Sequence, residues 1–451
     1  RAIAAQGNSF KTDYSADLAA SLASQFTGYG ELSGHSEITG LFVDGVSVPR
    51  MEAGQTGAIV LDSSPFYAES GGQVGDKGLL SAPGFTFEVE DTQKEDNAIL
   101  HLGVVSKGIV QTGDKTEARV DTERREATAL NHSATHLLHA ALRRVLGDHV
   151  VQKGSLVDAE KLRFDFAHYE ATTDEQLRAV EEMVNAQIRA NTLVATDVTD
   201  METAKARGAM ALFGEKYGES VRVLEMGENR FSVELCGGTH VQRTGDIGGF
   251  VVTSESGISS GVRRIEAVTG KNAEHWVSAG DEALRSILAM LKGSRETVAD
   301  KVQTLIDRNR QLEKEMHQLK AQLASVTGSD LATEAKEIGD IRVLAAHMEG
   351  MERKALMTTV DQLKNKLQKA VVVLASVEDE KIVLVAGVTK AETVRIKAGD
   401  LVNYVARQIG GKGGGRPDMA QGGGSNSAAL KEALDSVYTY TEQLITADDT
   451  Q

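Results

Sequence analysis

Two short stretches of this 451-residue chain carry metal-binding residue types at spacings that suit a single ion. The first, "NHSATHLLHAALRRVL" at positions 131–146, holds His132 and His136; the second, "ELCGGTHVQ" at 234–242, holds Cys236 and His240. HxxxH on a helix projects two imidazoles one turn apart, and CxxxH adds a thiolate and a third imidazole. Three nitrogens and one sulfur are borderline-soft donors, which suit Zn2+ better than magnesium or calcium. Each pair alone is a weak signal. The joint pattern is stronger, because the single cysteine of the chain lies in one of them. The two pairs are too far apart for a zinc finger, whose ligands sit close in sequence, so two distant elements must meet. Four protein donors suit a closed structural ion and a catalytic ion keeps a place for water, so the sequence leaves both roles open.

The first pair must ride on a helix. At 100° per residue, Leu130, Ala134, Leu137, Ala141 and Val145 fall within about 80° of one another. His132, His136 and His139 fall within about 60° on roughly the opposite face. The histidines are therefore off the leucine stripe, facing either water or a second layer. In "CGGTH" two glycines leave room for the backbone to turn closely around an ion. No carboxylate in these motifs stands out as a general base.

Upstream, residues 36–121 hold short alternating runs ("EITGLFVDGVSV", "FTFEVEDT", "AILHLGVV") between Gly, Pro, Asp and Ser turns, the signature of a small β-barrel or sandwich. Within it lies "SPFYAESGGQVGDKG", a surface loop or a set of backbone amides at the edge of a site. Residues 1–35 read as a helical lead-in, with Leu18, Leu22 and Phe26 at helical spacing. Residues 122–271 alternate helices and strands as an α+β domain around the metal motifs. Over 272–328 the apolar positions Val298, Val302, Leu305, Leu312, Met316, Leu319, Leu323 and Val326, with Asn309 among them, form a heptad seam, predicting a helical hairpin or coiled coil. Residues 329–451 read as a small α/β domain. Its "GGKGGGRPDMAQGGGS" precedes a helix, so its amides with Lys412 and Arg416 suit a phosphate, or the stretch is a connector; it is not a Walker A loop. The basic pairs Arg143–Arg144 and Arg263–Arg264 flank the metal motifs, where an RNA 3′ end would need positive charge.

Composition limits the function classes. The chain is 41% hydrophobic and 25% charged, with a net charge of −16, which disfavours a purely electrostatic nucleic-acid binder but not an enzyme with local basic patches. One cysteine excludes an internal disulfide framework and fits a reducing compartment. No apolar run approaches the roughly 18 residues of a membrane span, and no secretory pattern opens the chain. A cytoplasmic, multidomain protein without a membrane partner is expected, and the start without Met suggests part of a longer one.

"NHSATHLLHAALRRVLGDHVVQKGSLV", "LCGGTHVQRTGDIG", "GVRRIEAVTG" and "GGKGGGRPDMAQGGG" together resemble the C-terminal half of bacterial alanyl-tRNA synthetases, over essentially the whole chain. The resemblance implies an α+β multidomain fold: a barrel, a zinc editing domain with His132, His136, Cys236 and His240 as ligands, a helical section, and a DHHA1 domain. It implies hydrolysis of Ser-tRNA(Ala) and Gly-tRNA(Ala), with Gln152 recognising the serine hydroxyl. It further implies a C-terminal module that contacts the tRNA and forms a homodimer; Lys412, Arg416, Arg263 and Arg264, picked out above by charge, are the cations expected at RNA or phosphate. The aminoacylation core would precede this stretch, so alanine activation is not expected of it. The alternative is a tRNA-binding and dimerisation module with a structural zinc. A phosphoesterase related through DHHA1 is disfavoured, since no Asp-His-His run is present.

Overall fold

A computed structural model describes residues 22–210, 220–378 and 381–448. The alternating segment folds into strands β1 (Ser33–Val43), β2 (Thr56–Leu61), β3 (Gly78–Ala82), β4 (Phe85–Glu95), β5 (Ala98–Gln111) and β6 (Lys115–Val120). They pair in the order β6-β3-β4-β5-β2-β1, and β1 returns to pair antiparallel with β6, Glu37 opposite Lys115. Closure makes a six-stranded barrel, leaving neither terminal strand as an edge. Its interior is filled by Ile38, Leu41, Ile59, Leu61, Phe66, Leu80 and Phe87.

The expected helical lead-in is not found between residues 22 and 35. Gln25–Phe26 instead forms a short strand parallel to Ser63–Ser64, its backbone paired to the barrel rather than to itself. Leu18 lies outside the described residues.

Helix α1 (Thr122–Leu146) follows the barrel. The Asp121 side chain accepts from the Arg124 amide at its start, and Arg143 and Arg144 lie in its last turn, complementing the helix dipole. Then come β7 (Gln152–Val157), β8 (Leu162–Ala167), α2 (Asp174–Ala190), β9 (Ala195–Asp200), β10 (Ser220–Met226), β11 (Ser232–Leu235), β12 (Phe250–Ser259) and β13 (Val262–Thr269). β7-β8-β13-β12 form one antiparallel sheet and β9-β10-β11 a smaller one. The leucine face of α1, with Leu137, Leu138 and Leu142, packs with Phe164, Phe166, Val180, Val184 and Ile265 into one core. His132, His136 and His139 are also buried, so the histidine face meets a second layer rather than water.

The chain divides into two compact units, one ending at Ile287 and one starting at Leu288. The division falls within helix α3 (Gly270–Leu291), and α4 (Val298–Leu331) belongs to the second unit. That unit has a six-stranded sheet of β14 (Lys336–Ile338), β15 (Ile341–His347), β16 (Ala370–Glu378), β17 (Lys381–Val388), β18 (Lys412–Arg416) and β19 (Met419–Gly424), in the order β14-β15-β16-β17-β19-β18. β15 and β16 are parallel, as α5 (Arg353–Leu367) crosses between them. This agrees with an α/β reading. The heptad positions Val302, Leu305, Leu312, Met316 and Leu319 are exposed on α4. Asn309 is exposed too, its amide bonding Glu313 on its own helix at 3.2 Å rather than a facing strand of a coiled coil.

The Gly-rich stretch before the last helix is neither an open phosphate loop nor a connector. It is the β18–β19 hairpin, whose Gly413, Gly414 and Gly415 pair with Gly422, Gln421 and Ala420. Helix α6 (Ala398–Gln408) explains two of the glycines: a Cβ at Gly413 or Gly422 would stand 2.2 or 2.6 Å from the Val402 methyl. Among the described residues no helix is long and apolar enough to cross a membrane.

Candidate metal centre

The four sequence-selected donors converge. One ligand atom from each of His132, His136, Cys236 and His240 lies within 4.8 Å of the others, and among the described residues no other such group of His, Cys, Asp and Glu occurs. The Cys236 sulfur is 3.5 Å from His132 Nε2 and 3.3 Å from His240 Nε2. Tetrahedral bonds of about 2.3 Å to sulfur and about 2.0–2.1 Å to nitrogen would set sulfur and nitrogen about 3.5 Å apart. The residues therefore fit a zinc-sized ion. His136 Nε2 agrees with this, being a buried nitrogen with no hydrogen-bond partner.

Each α1 imidazole is fixed from behind. His132 Nδ1 is 2.7 Å from Gln73 Oε1, and His136 Nδ1 is 2.6 Å from Glu234 Oε2. Nδ1 donation turns both Nε2 atoms inward, where an ion would displace the second proton that His136 otherwise carries. Glu234 also accepts from His139 Nδ1 at 2.9 Å, so His139 shares the carboxylate while lying outside the four-donor group. His240 Nδ1 is 3.3 Å from the Ser133 hydroxyl, and the Gly238 amide points at the Cys236 sulfur at 3.4 Å. Gly238 must lack a side chain, since a Cβ there would lie 2.1 Å from the His132 ring. Gly237 is under no such demand, with only the Tyr29 hydroxyl 3.9 Å from a built Cβ.

The electrostatics follow from burial. Burial opposes ionising the Cys236 thiol, but His132, His240 and His136 outweigh it and hold it well below the usual range. Burial likewise opposes charge on Glu234, yet His136 prevails and brings it down to about 2. His136 is disfavoured as a cation by burial, but Glu234 and Cys236 push it up to about 10. Burial takes His240 down to about 3, the Cys236 thiolate opposing and His132 adding. A thiolate beside a neutral His240 is the protonation state in which those two groups ligate a metal.

Beside His240 opens a cavity of about 540 Å³, lined among others by Tyr29, Arg125, Glu126, Arg222, Thr239 and His240. Arg222 donates to the Cys236 and Gly238 carbonyls at 3.0 and 2.9 Å and lies 4.3 Å from the centre of the Tyr29 ring. The Tyr29 hydroxyl donates to the Gly237 carbonyl at 2.7 Å. The loop from Cys236 to His240 is thus held by groups that also wall the cavity.

The remaining sequence-selected residues scatter. Gln152 is half-buried at the start of β7, paired opposite Phe166, and does not line this cavity. Arg263 and Arg264 make bidentate pairs with Glu255 (2.6 and 2.6 Å) and Asp165 (2.7 and 2.8 Å), so their guanidiniums are committed to carboxylates of the same sheet. Arg143 binds Asp148, and Arg144 lies over the Phe231 ring. Lys412 and Arg416 are exposed at the two ends of β18. Glu234, Gln73, Arg222 and Tyr29 were not singled out from sequence. Glu234 left a signal, a carboxylate two residues before Cys236 in the otherwise apolar end of a strand. Gln73 lies in the Gly-rich loop expected at a site edge, although its side chain rather than backbone amides does the work.

Three family models match parts of the chain: tRNA synthetases class II (A) over residues 1–124, the threonyl and alanyl tRNA synthetase second additional domain over 221–266, and the DHHA1 domain over 340–443. An alanine–tRNA ligase of Pseudomonas fluorescens is 54% identical over 443 residues, covering 98% of this chain and 51% of the relative. That of Saccharophagus degradans is 55% identical over 442 residues, covering 98% and 50%. The C-Ala domain from Aquifex aeolicus alanyl-tRNA synthetase, a solved structure, is 30% identical over 24% of this chain and 97% of its own, with a TM-score of 0.23. The chain spans about half the length of the curated relatives it matches. Sequence identity along nearly its whole length, with the second additional domain and DHHA1 in that order, means that the chain belongs to the alanyl-tRNA synthetase family and corresponds to the C-terminal part of its members.

Proposed function

We propose that this chain is an aminoacyl-tRNA editing hydrolase that cleaves the ester of Ser-tRNA(Ala), and of Gly-tRNA(Ala), in the cytoplasm. The observation that carries it is a His3Cys donor set with three members buried and the fourth, His240, half-buried in the wall of a cavity that also presents charged and hydroxyl groups. An alanine-sized site cannot exclude glycine and discriminates weakly against one added hydroxyl, so a second, hydrolytic site is the physical remedy. A partner for that hydroxyl would be left unpaired by alanine, at about 1–3 kcal/mol. The resemblance assigns that role to Gln152; Thr239 and Tyr29 are hydroxyl-bearing alternatives on the cavity wall.

His132, His136, Cys236 and His240 would hold Zn2+. When bound, zinc supplies a Lewis acid that polarises a carbonyl and acidifies water. Glu126, at the cavity wall, suits the ammonium of the esterified amino acid, and Arg222 is a cation on the same wall suited to a carbonyl oxygen that gains negative charge. Glu234 is no general base: it is buried behind His136 with both oxygens engaged. An ion held by these four residues would chiefly organise the substrate, with a share in positioning water. Lys412 and Arg416 are the exposed cations proposed for RNA contact.

A second reading is a tRNA-binding and dimerisation module with a structural zinc. It is favoured by four protein donors around one point and by the exposed apolar seam of α4. Deacylation of Ser-tRNA(Ala) and Ala-tRNA(Ala) by the chain and by Cys236→Ala at equal fold content separates them. Selective loss of serine, abolished by the substitution, establishes the editing enzyme. Bound zinc with neither ester cleaved favours the module.

A further inference from the structure

We infer that Gln73 is a positioning residue for the metal centre, making the Gly-rich loop of the barrel part of it and coupling barrel docking to metal affinity. The inference rests on the reading that the cluster holds a metal, not on the deacylase activity.

Gln73 is fully buried and uses both ends of its amide. Its Oε1 accepts from His132 Nδ1 at 2.7 Å and from the Thr239 amide at 2.9 Å, while its Nε2 donates to the Thr239 hydroxyl at 2.8 Å. The Thr239 contacts fix which end of the amide is which: the backbone N–H demands oxygen. Oxygen toward His132 in turn demands a proton on Nδ1, so Nε2 keeps its lone pair for the metal. One side chain from the barrel therefore chooses the tautomer of a ligand on α1 and anchors the residue next to His240. The loop is seated by backbone bonds as well. Val74 N–H donates to the Val157 carbonyl at 3.0 Å and Val157 N–H to the Gly72 carbonyl at 2.7 Å. Gly72 is needed there, since a Cβ would lie 2.7 Å from the Ser155 carbonyl oxygen. If docking the loop raises metal affinity by some factor, binding the metal strengthens docking by the same factor.

The test is Zn2+ affinity by chelator competition, with Co2+ absorption as a second readout, for the full chain, Gln73→Leu, Gln73→Glu and Thr239→Val. Removing an outer partner of a ligating histidine weakens metal binding about 10–100-fold. Gln73→Leu should show that loss. Gln73→Glu keeps an acceptor at His132 Nδ1, and the Thr239 hydroxyl can turn to donate, so affinity should return to within about threefold of wild type. A role in packing alone gives the opposite order, because a buried carboxylate is harder to accommodate than leucine. Thr239→Val removes the acceptor of Nε2 while the backbone N–H still holds Oε1, so it should lose affinity by less than Gln73→Leu, and it keeps the test open if Gln73→Leu does not fold. Wild-type affinity in Gln73→Leu or Thr239→Val, or Gln73→Glu binding no better than Gln73→Leu, overturns the inference. A wild-type chain that binds neither metal overturns the metal reading along with it.

Discussion

Glu234→Gln is the sharpest probe of the centre. The carboxylate accepts from His136 at 2.6 Å and from His139 at 2.9 Å while almost fully buried. An amide of the same size has one acceptor and one donor, so it can serve only one of two Nδ1–H groups. If the other is His136, its proton must move to Nε2, where the metal should be. A carboxyl held at about 2 instead of its ordinary 4.5 corresponds to about 3 kcal/mol at neutral pH. The push of His136 up to about 10 is the same pair seen from the other side and is not added. Breaking a buried pair by removing one partner costs about 3–5 kcal/mol by an independent route. The folded carboxyl is depressed, so its contribution is complete above about pH 4.5 and disappears as pH falls through about 2. Urea titrations of the metal-free chain should put the variant about 3 kcal/mol below wild type at pH 7 and about 1.5 kcal/mol below it at pH 3. Zinc affinity at pH 7 should fall about 10–100-fold. No gap at pH 7, or a gap that does not narrow on acidification, would refute the pairing.

Two further outcomes follow from close contacts and exposure. Gly238→Ala places a methyl 2.1 Å from the His132 ring, so the ring must leave its position; metal affinity should fall at least as far as in Gln73→Leu, while the circular dichroism of the chain stays near wild type. Leu312 on α4 is 47% exposed, so Leu312→Glu should change monomer stability by less than about 0.5 kcal/mol. If the seam pairs two copies, the same substitution should shift the mass measured by analytical ultracentrifugation from dimer to monomer.

Legible in the sequence were the four donors that cluster, the helix that carries two of them and the barrel ahead of it. These rest on local rules: one cysteine in CxxxH, HxxxH off a leucine stripe, alternation broken by turns. It misread residues 22–35 and the Gly-rich hairpin because partners distant in sequence decided them, Ser63–Ser64 for the first and Val402 for the second. It proposed phosphate contacts for Arg263 and Arg264, whereas strand pairing sets Arg264 opposite Asp165 and Arg263 near Glu255. Tertiary structure alone decided what stands behind each ligand. A hydrogen bond between Gln73 and His132 spans 59 residues and one between Glu234 and His136 spans 98, and no periodicity links such positions. Donor type is local chemistry and can be read in one dimension; tautomer, charge state and access depend on which groups the fold buries against a ring, and those are set only when the chain closes on itself.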